Sequence, residues 1–206
     1  EFEKSSYTIN KMFYAFSLLG EQVKITNEPL DLKEAKAIVL PGVGAFSDGM
    51  KNLEKRNLRQ TLEEEIRDKK KPYLGICLGM QFLAQKSYEA GEHDGFGWIK
   101  GNVVRLHSDK EKLKIPHMGW NDTEIIKKGG LLNEIESPTF YYLHSYFFDV
   151  DPSEKNVITS VCRYGENTIT STLQKDNIYA VQFHPEKSQQ TGIKLLKNFL
   201  DDIKNA

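Results

Sequence analysis

Cys77 lies inside Gly75-Ile76-Cys77-Leu78-Gly79, directly after the apolar stretch Pro72-Tyr73-Leu74. The G-x-C-x-G spacing is the cysteine form of a nucleophile elbow, a sharp strand-to-helix turn that pushes one side chain into the open. Gly75 and Gly79 leave room where strand and helix would otherwise collide. A cysteine there also meets the unpaired N–H groups and the dipole of the new helix, which favour thiolate over thiol. The competing reading is a buried structural cysteine between two glycines. A distant segment separates the two readings. Gln182-Phe183-His184-Pro185-Glu186 continues Ile178-Tyr179-Ala180-Val181, an apolar, β-branched and aromatic run that reads as a strand. Side chains two apart on an extended chain point the same way, so His184 and Glu186 should leave its end together. A carboxylate beside a histidine holds one tautomer and stabilises the imidazolium, which is what a base for a cysteine needs. Cys77, His184 and Glu186 are therefore the expected catalytic residues.

The elements that must position these groups read as an α/β fold. Ile9, Met12, Phe13, Phe16 and Leu18 or Leu19 recur at helical spacing, and Gly20 closes that helix. Ala37-Ile38-Val39-Leu40 is a short apolar strand ending at Pro41-Gly42. Residues 53 to 71 read as one helix stopped by Pro72, with Glu63, Glu64 and Glu65 followed by Lys69, Lys70 and Lys71 on a solvated face that suits the helix dipole. A strand over 72–76 and a helix over 78–86 then flank the elbow. From about Phe96 to Val181 short strands alternate with Gly, Asn and Asp, the pattern of antiparallel additions. No repeat, low-complexity tract or linker divides the chain, so residues 1–206 are expected to form a single domain.

Composition narrows the function classes. A chain of 206 residues is long enough for one well-buried core, and its net charge of −1 gives no general attraction to nucleic acid or membrane. No run of about 18 apolar residues and no signal-peptide pattern occurs, so a cytoplasmic location is expected. Of the two cysteines, Cys162 lies in the apparent strand Val157-Ile158-Thr159-Ser160-Val161-Cys162 and reads as a small buried residue, not half of a disulfide. Histidines at 93, 107, 117, 144 and 184 have no metal-ligand spacing, and Gly95-Phe96-Gly97 lacks the lysine and helix of a phosphate loop. Neither metal nor cofactor is expected.

Cys77 in its elbow, followed by His184-Pro185-Glu186, resembles the triad of the class I glutamine amidotransferases. More narrowly, the chain is similar to the glutaminase subunits of imidazole glycerol phosphate synthases of histidine biosynthesis. The matching stretches are Leu40 to Phe46, Leu74 to Gln81, Lys114 to Asn121, Leu143 to Tyr146 and Gln182 to Ser188, in the family's order. Pro116-His117-Met118-Gly119-Trp120-Asn121 and the glycines of Pro41-Gly42-Val43-Gly44 narrow the match to this subunit. One region departs. The family opens with an apolar strand and a glycine-rich turn, whereas this chain runs from Glu1 almost straight into a helix, with Ser5-Ser6-Tyr7-Thr8 where the turn would be.

The resemblance implies a three-layer, flavodoxin-like domain with a mixed, mostly parallel central sheet, and a heterodimer that passes ammonia from L-glutamine to a (β/α)₈-barrel cyclase. An oxyanion formed by attack on a carboxamide needs donors already in place. The backbone N–H of Leu78 is one in elbow geometry, and the Gly42–Val43 loop is the candidate for the second. Gln81, one helical turn after Cys77, can face the same pocket. His144, Ser145 and Tyr146 match the segment that the family wraps around glutamine, and Glu89 matches loosely an acidic group that meets its amino end. His144 could be mistaken for the base, but the carboxylate two residues on favours His184. Trp120, Tyr141 and Lys187 are the candidates for the docking face. Three other readings stay open: a paralogous glutaminase feeding another synthase such as amidino-sugar assembly, a non-catalytic binding subunit of the same fold, and a cysteine hydrolase of different substrate.

Overall fold

The computed structural model describes residues 2–108 and 113–205. Helix α1 (Phe2–Leu18) and the short α2 (Pro29–Glu34) precede strand β1 (Ile38–Gly42). Helices α3 (Phe46–Lys55) and α4 (Leu58–Leu62), the latter continuing as a π-helix over Glu63–Asp68, lead to β2 (Tyr73–Cys77) and the single turn α5 (Leu78–Gln81). There follow β3 (Lys86–Ser87), β4 (His93–Asp94), β5 (Gly101–Arg105), β6 (His117–Ile125), β7 (Thr139–His144), β8 (Tyr146–Val150), β9 (Ile158–Tyr164), β10 (Asn167–Lys175) and β11 (Ile178–Val181). Helix α6 (Gln189–Asn205) comes last.

A seven-stranded sheet runs in the order β1-β2-β11-β10-β9-β6-β7, and a four-stranded one in the order β4-β3-β5-β8. The pairs β1–β2 and β2–β11 are parallel; β11–β10, β10–β9, β9–β6 and β6–β7 are antiparallel. The mixed sheet with antiparallel additions is as expected, but its parallel part is confined to three strands among the described residues, and no strand precedes α1 there. Cys77 ends the middle one of those three strands. β2, between two parallel neighbours, is buried along its whole length, which is why Tyr-Leu-Gly-Ile-Cys shows no polar alternation.

Period-two alternation sends successive residues of the inner strands to opposite faces. Leu74 and Ile76 of β2, with Tyr179 and Val181 of β11, join Met12, Ala15 and Phe16 of α1 and Leu195, Leu196 and Phe199 of α6 in one core. Tyr73, Ile178 and Ala180 face the other way, onto Phe46, Met50 and Leu53 of α3 and Leu58 and Leu62 of α4. The sheet is thus the middle of three layers. Leu19, just after α1, packs against the core, while Leu18, its last residue, is 80% exposed.

Three expectations are corrected. The helix foreseen over 53–71 starts at Phe46 and breaks at Asn57, whose left-handed φ of 55° starts a new helix. Its charge run is not wholly solvated: the Glu65 side chain is 1% exposed, bridged by Lys69 at 2.6 Å and Lys71 at 2.8 Å, and these hydrogen bonds hold its carboxyl below the ordinary value. The helix foreseen over 78–86 ends at Gln81. The carbonyls of Phe82, Leu83, Ala84 and Gln85 accept from the N–H groups of Phe96, Ile99, Gly97 and Gly95, so a returning loop takes the bonds a longer helix would use.

Packing of α6 on the sheet gives a stability test away from the chemistry. Phe199 is 1% exposed and stands edge-on to Tyr179 with ring centres 5.3 Å apart. Phe199→Ala should cost about 3–5 kcal/mol in chemical denaturation, whereas Leu18→Ala should stay within roughly 0.5 kcal/mol of the parent.

Candidate active site

β1, β2 and β11 end side by side, and their carboxyl ends deliver the site. Gly42 is the cross-strand partner of Cys77, and Val181 is that of Ile76, so Gln182 emerges next to the cysteine and His184 two residues further on. Cys77 has φ 54° and ψ −106°, a conformation a residue with a side chain seldom adopts. The packing that imposes it is visible. A Cβ on Gly79 would stand 1.9 Å from the Leu40 carbonyl oxygen, and one on Gly75 would stand 2.6 Å from the Gly79 oxygen. The buried Tyr73 hydroxyl donates to that Gly79 carbonyl at 2.8 Å and ties the two arms of the elbow.

The His184 imidazole is held from behind. Nδ1 of His184 and Oε1 of Glu186 are 2.9 Å apart, with the two side chains 1% and 0% exposed. The pair does not leave a strand end as foreseen: β11 stops at Val181, and Pro185 starts a 3₁₀ turn that folds Glu186 back onto the imidazole. Nε2 of His184 has no hydrogen-bond partner among the described residues, which leaves it for proton transfer. Burial alone would lower the basicity of His184. Negative charge on the Cys77 sulfur and the Glu186 carboxylate outweigh it and push the imidazole up to about 10.

His144 has the opposite environment. Its Nδ1 lies 3.0 Å from the Tyr146 carbonyl, which only accepts, so Nδ1 carries the proton. Its Nε2 then accepts from Nδ1 of His117 at 3.1 Å, and Nε2 of His117 accepts from the Asn121 amide at 3.2 Å. His117 is stacked between Tyr142 and Tyr164, with centroids at 4.8 Å and 4.1 Å. Burial lowers His117 to about 4; burial, then the neighbouring His117, lower His144 to about 3. Both nitrogens of His144 are occupied in a neutral chain, so His144 is not placed as the base. His117 stood in a recognised motif without a role, and nothing local in the sequence marks it as half of a histidine pair.

A cavity of about 310 Å³ is lined by Val43, Gly44, Cys77, Leu78, Gln81, Glu89, Pro116, Leu143, His144, Ser145, Tyr146 and His184. Almost every residue expected around a substrate is brought together there. Leu78 is the first residue of α5, so its N–H has no intrahelical partner and is available to an oxyanion. Gly42 packs beneath it: a Cβ there would stand 2.7 Å from that of Leu78. Oε2 of Glu89 accepts from the Phe46 N–H at 2.7 Å, at the start of α3, which fixes the carboxylate on the rim. Cys162 lies elsewhere, fully buried, its thiol pushed up to about 11 by burial. Among the described residues no group of three His, Cys, Asp or Glu side chains is arranged to hold a metal.

The proposed docking residues are also contiguous. Trp120 and Tyr141 are cross-strand partners with rings 6.1 Å apart, and the Lys187 ammonium sits 5.8 Å above the Tyr141 ring. Trp120 is 48% and neighbouring Met118 65% exposed. The Tyr141 carbonyl accepts from the His184 N–H at 2.9 Å, and the Ser188 hydroxyl joins the Tyr141 N–H to the His184 carbonyl. This aromatic patch is one hydrogen bond from His184.

The histidines make a direct test. In NMR titration of imidazole signals, His117 and His144 should stay neutral from pH 9 to pH 5, while His184 should remain protonated well above neutrality. Cys77→Ala removes the sulfur's charge, so His184 should titrate at lower pH, since burial is then less opposed. For His117 and His144 the folded values lie below the unfolded one of about 6.5. Their contribution to stability is therefore full above pH 6.5 and should be lost as pH falls toward 4.

A family model described as glutamine amidotransferase class-I matches residues 5–203. The imidazole glycerol phosphate synthase subunit HisH 1 of Campylobacter jejuni is 43% identical over 193 residues, covering 93% of this chain and 94% of that protein. Subunit HisH of the same synthase from Aquifex aeolicus is 46% identical over 179 residues, covering 86% and 83%. A crystal structure of a glutamine amidotransferase superposes with a TM-score of 0.71 at 17% identity, covering 95% and 93%, and so shares the fold. With the elbow cysteine and the histidine–glutamate pair in place, the chain belongs to the class I glutamine amidotransferases, in the group of the HisH subunits.

Proposed function

We propose that this chain is the glutaminase subunit of an imidazole glycerol phosphate synthase, acting as one domain over residues 1–206 in the cytoplasm. The observation that carries the reading is the strained Cys77 elbow facing the His184–Glu186 pair across one cavity, in a chain with HisH relatives. The sulfur of Cys77 attacks the side-chain carbonyl carbon of L-glutamine. The oxygen takes negative charge and is met by the N–H of Leu78 and by the Gly42–Val43 loop. His184 delivers its proton to the nitrogen as the C–N bond breaks, ammonia leaves, and a thioester remains. Water then gives a proton to His184 while its oxygen attacks the thioester, and glutamate departs as the sulfur is released. Glu186 orients the imidazole throughout. Gln81, Glu89 and the His144–Ser145–Tyr146 segment hold the α-amino and α-carboxylate ends.

The product calls for a partner. Near neutral pH free ammonia is mostly ammonium and a poor nucleophile, so a second subunit should cover the cavity and take ammonia before it equilibrates with solvent. The exposed Trp120–Tyr141–Lys187 cluster beside the base supports docking there, with a cyclase of (β/α)₈-barrel type in a heterodimer. No helix among the described residues is long and apolar enough to cross a membrane. The intact triad speaks against a non-catalytic subunit, and the HisH relatives against a paralogue feeding amidino-sugar assembly.

Glutamate release, measured with and without a partner cyclase and its ligand, tests the assignment. Cys77→Ala should abolish release, and His184→Ala should lower it by about 10²–10⁴-fold. Trp120→Ala and Lys187→Ala should mainly reduce the increase that the partner brings. Full activity of the chain alone, indifferent to any partner, would make it a free-standing glutaminase and overturn the synthase reading.

A further inference from the structure

Gln182 takes no part in the reaction above, yet it is fully buried and lies against the nucleophile. Its Nε2 is 3.6 Å from the Cys77 sulfur, and its Oε1 is 3.2 Å from Nε2 of Gln81. The polarity of this bridge follows from a fixed point. The carbonyl oxygen of Tyr146 can only accept, so the Gln81 atom 2.8 Å from it is the amide nitrogen. That nitrogen's second hydrogen then points at Gln182, and the Gln182 atom facing it must be the oxygen. Only the amide nitrogen of Gln182 is left for the sulfur. The Gln182 main chain is pinned as well, its N–H donating to the Ser171 carbonyl at 2.8 Å.

We propose that Gln182 is a positioning residue for the nucleophile, holding an N–H on the Cys77 sulfur in a polarity set, through Gln81, by the Tyr146 carbonyl. The proposal rests on Cys77 as the nucleophile. A buried amide dipole favours the negatively charged form of its acceptor, so the bridge stabilises thiolate over thiol and limits rotation of the sulfur. It also holds the Gln81 amide from two sides, with both hydrogens of Nε2 engaged.

The test uses the chain alone and needs neither glutamine nor partner. The rate of Cys77 alkylation by iodoacetamide is followed against pH, with the labelled peptide identified by mass spectrometry. Gln182→Met keeps length and removes the donor; Gln182→Glu keeps shape and puts an acceptor against the sulfur. The other titratable groups around the cavity, His184 with its partner Glu186, His144, Glu89 and Tyr146, are unchanged by both. The pH midpoint of alkylation should rise by about one unit in Gln182→Met and by more in Gln182→Glu. A second measurement needs no variant of Gln182. In wild-type protein carrying ¹⁵N-glutamine, one side-chain NH₂ signal should shift with the alkylation midpoint and lose that response in Cys77→Ala. A wild-type midpoint in both variants, or no glutamine NH₂ signal that follows Cys77, would reduce Gln182 to core packing. If glutamine hydrolysis itself fails with a partner present, the functional reading falls instead, and these measurements still decide the role of Gln182.

Discussion

Gly79 lies so close to the Leu40 carbonyl that no side chain fits between them, and this contact determines the rest of the site. It draws the start of α5 onto the end of β1, so that β2 must turn within one residue. The residue at the turn is Cys77, held at a positive φ that costs of order 1–3 kcal/mol. Such strain persists only where its surroundings leave no alternative. Here those are a strand buried on both faces, the Tyr73 hydroxyl closing the elbow, and Gly42 beneath Leu78. The distortion turns the sulfur at the end of a buried strand toward the cavity.

Three buried histidines then differ only in their partners. His184 faces a carboxylate and a sulfur and is driven toward the cation. His117 and His144 face an amide, each other and a carbonyl, with no counter-charge, and are driven toward the neutral form. One cavity wall thus carries an imidazole driven toward the cation, and another carries dipoles that do not titrate near neutrality. The Tyr146 carbonyl is the hinge of this division, since it accepts from His144 and from Gln81 alike.

What could be read from the sequence was local. The two glycines around Cys77 and the two-residue step from His184 to Glu186 carry their geometry in their own spacing. The pocket-lining segments were legible only through family likeness. Structure set by distant partners was hidden. The early end of α5 depends on Gly95, Phe96, Gly97 and Ile99 returning to claim its carbonyls, and no propensity of residues 82–86 records that. Asn57 breaks a charged helix because a short polar residue tolerates the left-handed turn, a choice the periodicity around it does not betray. Gln182 looks like one more strand residue until Cys77, 105 positions earlier, is set beside it.

That separation also orders the protein's assembly. β1 and β2 are near neighbours in the chain and can pair early, but the other edge of β2 is filled by β11, a strand far downstream of it. Without β11 between β2 and β10, the inner strand carries an open edge, and its cysteine has neither the His184 imidazole nor the Gln182 amide beside it. In a partly made or partly unfolded chain Cys77 therefore lacks both of these neighbours. The pocket around Cys77 is complete only when the closing strand is in place, so one long-range pairing joins the fold of the sheet to the assembly of the site.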